Sequence, residues 1–155
     1  RYYSRKEANF NVDGDLSELL RLEQELWRED PGSVECTFGQ VAFWSAQLLD
    51  DDWTARLWYD GDLLVGWGWL TGGTELEWEV RPSHRELLDE VLDWAEPREV
   101  LVRATHADAI ERLRAHGLEH DPAAPWMRSS GGWDGGWLVG FSLAAWRRGG
   151  GRVRH

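Results

Sequence analysis

Three glutamates alternate along one short stretch of this 155-residue chain: Glu75, Glu77 and Glu79, with Leu76, Trp78 and Val80 between them. A period of two puts the acids on one side of a strand and the apolar residues on the other. A carboxylate so placed can take a proton from a nucleophile or draw in a cation. Glu77 and Glu79 are therefore the candidates for a general base. The plainer account is a strand with one wet face, and the alternation by itself favours it. Just beyond, Ser83, His84 and Arg85 open a predicted helix. A helix N-terminus flanked by a cation suits an anion. The same residues also read as a capping box, with Ser83 bonding the Glu86 N–H and Glu86 reaching back. That structural account is preferred.

Other reactive side chains are less well placed. His116 and His120 stand four apart, as a metal pair would, but Gly117 ends the predicted helix between them. No third ligand has suitable spacing, so no metal is expected. Cys36 is the single cysteine, which excludes an internal disulfide, and it has no neighbour at nucleophile spacing. The chain holds 12 Trp, of which Trp58, Trp67, Trp69 and Trp78 fall on adjacent predicted strands. Exposed, such a row would stack on sugars or cations and make the chain a non-catalytic ligand-binding or interaction domain. Buried, it fills a core or a dimer seam, which is the preferred account.

The elements that must position these residues follow from period and punctuation. A strand is expected through Tyr2 and Tyr3. Asp15 is the expected cap of a helix carrying Leu16, Leu19, Leu20, Leu22 and Trp27, and Pro31-Gly32 ends it. A second helix is predicted over Phe38–Leu48. Thr54–Tyr59, Asp60-Gly61 and Asp62–Leu70 read as a hairpin with a type I′ turn. Gly72-Gly73 turns the chain into the glutamate strand. Leu87, Leu88, Val91, Leu92 and Trp94 mark the next helix, and Val100–Val102 a buried strand. Thr105 and Asp108 are the expected cap pair of a helix bearing Ala109, Ile110 and Leu113, closed by Gly117. Short strands are expected at 118–120 and 126–128. Residues 129–136 read as a Gly-rich linker, and Trp137–Ala145 as one more strand or helix.

Charge is uneven. The net value is −11, divided into −15 over residues 1–127 and +4 over residues 128–155. A body this acidic argues against nucleic acid and anionic membranes as partners. No apolar run approaches the ~18 residues of a membrane span, and no secretory leader is seen, so the expected location is cytoplasmic. Residues 1–129 are expected to form one domain. Residues 130–155 read as a Gly/Arg-rich tail or the truncated start of a second domain.

The order of elements and several local strings resemble the GNAT N-acyltransferase superfamily. Leu63-Leu64-Val65-Gly66-Trp67-Gly68 is similar to its third strand, and Val80-Arg81-Pro82-Ser83-His84-Arg85 to its V-x-P-x-x-R signature. Leu87–Leu92 resembles the start of the helix that follows, and Ala109–Glu119 the last helix and its exit. The resemblance implies an α/β (α+β) fold with a mixed, mostly antiparallel central sheet flanked by helices. It implies acyl transfer from acetyl-CoA to a small-molecule or peptide amine. Trp78 and Val80 would line the pantetheine, Ser83, His84 and Arg85 would lie at the phosphates, and Glu77 or Glu79 would take the amine proton. Two parts of the family pattern are absent. Arg85 runs through Glu86 straight into Leu87-Leu88 without the glycine-rich phosphate loop, and Leu113 stands where the family has a proton-donating Tyr. The chain thus resembles a degenerate member, like the N-terminal half of a tandem protein, with weakened or no activity. A second such half or a second copy of the chain is the implied protein partner.

Overall fold

The computed structural model describes residues 2–8, 14–35, 53–121 and 138–143. The expected helix over Phe38–Leu48, the strand at 126–128 and the Gly-rich linker lie outside the described residues, as does Cys36. Seven strands form one sheet: β1 Ser4–Glu7, β2 Trp53–Asp60, β3 Leu63–Thr71, β4 Glu75–Val80, β5 Glu99–Arg103, β6 Leu118–His120 and β7 Leu138–Leu143. Among the described residues three helices cover it: α1 Asp15–Glu29, α2 Leu87–Ala95 and α3 Ala107–Ala115. The strand order is β1-β2-β3-β4-β5-β7-β6. Every neighbouring pair is antiparallel except β4 with β5.

Two apolar cores lie on the two faces. Under α1, Leu19, Leu22 and Leu26 pack with Ala55, Leu57, Trp67 and Trp69. Under α2 and α3, Trp58, Val65, Leu76, Trp78 and Val80 pack with Leu87, Leu88, Val91 and Leu113. Strand β3 serves both. Its tryptophans point to α1, and Gly66 and Gly68 point to α2. A Cβ on Gly68 would lie 2.9 Å from the Trp94 ring and one on Gly66 2.9 Å from Leu87. Only glycine lets α2 lie this close to the sheet.

Local punctuation differs from expectation in four places. Gly14, not Asp15, holds the N-cap position of α1. Asp15 is buried inside the first turn and accepts from Lys6 Nζ at 2.5 Å. The β2–β3 connection is Gly61-Asp62, with positive φ at Gly61 alone, which suits a II′ turn. The I′ geometry falls instead at Gly72-Gly73, both with positive φ, where the Thr74 N–H donates to the Thr71 carbonyl at 3.1 Å. The capping box is not formed. Pro82–His84 makes a short 3₁₀ turn, and α2 starts at Leu87 without a side-chain cap. The reason is competition: Tyr3 Oη donates to Glu86, and Ser83 bonds His84 Nδ1 at 2.7 Å. The Thr105–Asp108 cap is likewise replaced, with His106 at the N-cap of α3 and Asp108 accepting from the Ala109 N–H.

Strand β7 enters the sheet between β5 and β6, pairing with five residues of β5. Residues 138–143 therefore belong to this sheet. Without them β6 would have no neighbour, since β7 is its only pairing strand among the described residues. No described helix is long and apolar enough to cross a membrane.

Candidate active site

Parallel strands β4 and β5 pair only through Glu75 with Glu99 and Leu76 with Val100. Beyond that point they part, and their carboxyl ends diverge toward α2 and α3. Ligands of open sheets bind outside the carboxyl ends of parallel strands. A cavity of about 410 Å³ lies there, lined by Leu26, Gly32, Pro82, Arg85, Thr105 and His106 among others.

The three glutamates of β4 grade from water to core: Glu75 is exposed, Glu77 half-buried and Glu79 buried. The wet-face account fails at Glu79 because α1 crosses that end of the strand. Cα register sets Trp67 opposite Glu79 and Trp69 opposite Glu77, so the acids share the α1 face with the two indoles. Glu23 of α1 comes down onto the same patch and is 1% exposed. The Trp67 indole N–H donates to Glu23 Oε1 at 2.7 Å. Its other oxygen meets no donor among the described residues, and the carboxyl interacts with Glu79. Two carboxyl groups in that relation can be joined by one proton. Burial pushes the Glu23 carboxyl up to about 8. Glu77 is also pushed up to about 8, by burial first and then by the Glu75 and Glu35 charges.

The segment after α1 spans the parted strands. The Glu35 N–H donates to Glu79 Oε1 at 2.9 Å, and Glu35 Oε2 accepts the Arg103 N–H at 3.0 Å. The Val34 carbonyl accepts from Arg103 Nε, and Glu35 Oε1 meets His106 Nδ1. On the opposite face the Trp78 indole reaches across to the Leu101 carbonyl at 3.2 Å. Both connections run from β4 to β5 where the strands no longer pair.

The anion-site candidates divide. Ser83 is exposed, and His84 is buried with Nε2 on Asp60 at 3.0 Å. Arg85 is buried, with its guanidinium 5.5 Å from the Trp78 ring centroid and Nε 3.3 Å from Asp108. Its Nη1 is buried and has no hydrogen-bond partner among the described residues. Val80 is buried in the α2 core. Leu113 is there too, at 0% exposure, so α3 presents an apolar side chain in that place.

The two histidines of the metal reading go separate ways. His116 faces Asp89 and Asp93, and His120 lies against Phe141. The tryptophan platform does not form: Trp58, Trp67, Trp69 and Trp78 are each at most 1% exposed. Sequence reasoning missed Glu23, Glu35, Arg103 and His106. Glu23 had a signal, since it stands between Leu22 and Leu26 and four after Leu19, inside the stripe that must be buried. Glu35 had none. It follows a Pro-Gly turn, and only the topology brings it to β5.

No protein-family model matches the chain, and no curated protein matches it. Solved structures do. A GNAT-family acetyltransferase from Streptococcus pneumoniae superposes with a TM-score of 0.58 at 15% identity, over 90% of this chain and 98% of that one. The yncA protein from Salmonella typhimurium, solved with its cofactor acetyl-CoA, gives 0.54 at 16% identity over 91% and 92%. A spermidine N-acetyltransferase from Vibrio cholerae gives 0.54 at 10% identity over 93% and 96%. The sheet order, the single parallel pair and its parted ends agree with the same architecture: this chain has the fold of the GNAT acetyltransferases.

Proposed function

We propose that this domain binds an acyl-CoA at the parted ends of β4 and β5 and transfers the acyl group to an amine, slowly. The observation that carries the reading is Arg85: a buried guanidinium at the cavity with Nη1 unspent among the described residues. A buried donor left unpaired costs about 1–3 kcal/mol, and an anionic or carbonyl ligand would recover it. Trp78 and Val80 offer the β4 backbone, and Ser83 and His84 stand in the turn before Arg85. The bound thioester supplies an activated acyl carbon. Glu77 supplies the base. It is half-buried, and with its carboxyl pushed up to about 8 the ionised form that can accept the amine proton grows in as pH rises toward that value. The acidic surroundings of β4 suit a cationic amine, as in the spermidine acetyltransferase of the same fold. Slowness follows from Glu86, an anion beside the phosphate position, and from Leu113, which donates no proton.

The test is release of free thiol from acetyl-CoA in the presence of spermidine. Glu77→Gln is expected to lower kcat about 100-fold, a usual general-base contribution. Equal turnover by the two proteins, or no thiol release from either at millimolar substrates, contradicts the reading.

A further inference from the structure

Acyl transfer leaves a thiolate that must be protonated, and α3 presents only Leu113 where a hydroxyl would serve. We propose that His106, held by Glu35, is the proton donor of this site. The proposal rests on the acyl-transfer reading above. Glu35 is buried, and its carboxylate is fixed from behind by the Arg103 N–H at 3.0 Å. Its other oxygen meets His106 Nδ1. A carboxylate on one ring nitrogen orients an imidazole and sets its tautomer, and it leaves the second nitrogen for proton exchange. That second nitrogen, Nε2, has no hydrogen-bond partner among the described residues, and the ring lines the 410 Å³ cavity together with Arg85 and Thr105. The charged groups around it are Glu35 behind, Arg103 on β5, Arg85 before α2, Asp108 on α3, and Glu29 and Asp30 at the end of α1.

The step balances. The amine nitrogen forms a bond to the acyl carbon, and the C–S bond breaks with its electron pair left on sulfur. Nε2–H of the imidazolium protonates that sulfur, and the surplus amine proton goes to Glu77. The products are an amide and a free thiol, and solvent returns His106 and Glu77 to their starting states.

The probe is CoA itself, whose thiol is titrated by ultraviolet absorbance when bound to the protein. An imidazolium beside a thiol favours the thiolate. The bound thiol is therefore expected to ionise at lower pH than in solution, and His106→Gln and His106→Asn are expected to restore the solution value. Both variants should lower kcat about 100-fold while KM for acetyl-CoA stays within about twofold. Thermal melting shows which variant is folded, and the wild-type titration decides without either. A bound thiol that titrates as in solution overturns the assignment of His106 while leaving acyl-CoA binding intact. Absence of calorimetric heat with CoA overturns the acyl-CoA reading and this one with it.

Discussion

On the α2 side of β4, Leu76, Trp78 and Val80 share a core with Leu87, Leu88 and Val91. On the α1 side, Glu77 and Glu79 share their space with Glu23 and Glu35. One strand thus carries two fillings. The first is held by burial of apolar area and is indifferent to pH. The second is held by shared protons and backbone N–H groups, so its stability depends on protonation. The acidic candidates belong to the second filling, whereas Trp78 and Val80 belong to the first. Buried polar groups that serve only the fold can be replaced by hydrocarbon. Glu77 and Glu79 of β4, with Glu23 of α1 and Glu35 beyond it, therefore carry a cost to stability on that side that packed hydrocarbon would not.

The largest effect is expected on the apolar side. Trp78→Ala should cost about 3–5 kcal/mol by urea unfolding, from lost burial and a residual cavity. The cost should be equal at pH 5 and pH 8. A cost that changed with pH would erase the contrast between the faces. Next comes Glu23. Its pKa is raised from 4.5 to about 8 on folding, so the native state binds the extra proton. The stability this contributes is fully present below the unfolded value and is lost as pH rises through about 8. Wild-type stability should fall by about 1.4 kcal/mol per pH unit within that window for this group alone. Glu77 acts in the same direction. Glu23→Gln keeps an acceptor for Trp67 and adds a donor for Glu79. It should flatten the slope and make the protein more stable than wild type above pH 8. An unchanged slope would place the shared proton elsewhere. The smallest effect is Gly68→Ala, whose methyl would meet Trp94 at 2.9 Å and Val91 at 3.1 Å. Overpacking of this kind costs about 1–3 kcal/mol, and strand propensity offsets part of it. A neutral result would mean that α2 can lift from the sheet.

The apolar face was largely legible from sequence because hydrocarbon periodicity is a local signal. Leu76, Trp78 and Val80 share one side of the strand and a core was the preferred setting for it, with the Leu87–Trp94 stripe as its cover. The resemblance added the strand order. The acidic face was half legible. The alternation fixed where Glu75, Glu77 and Glu79 point, but burial of Glu79 depends on where α1 crosses, which no local pattern encodes. Caps were misread for a related reason. Ser83, Glu86 and Asp108 have the right types at the right spacing, yet His84, Tyr3 and Arg85 claim their side chains from other parts of the chain. The Glu35–His106 pair joins residues 71 apart and was invisible until the gap between β4 and β5 was seen.

The parted ends of β4 and β5 are proposed to receive an acyl-CoA through Arg85. Calorimetric titration with acetyl-CoA tests it most directly, on wild type and on Arg85→Gln. The account predicts one-to-one binding to wild type and at least about tenfold weaker binding to the variant, the worth of one charge-assisted hydrogen bond. No heat from wild type at millimolar acetyl-CoA, or equal affinity in both proteins, would contradict it.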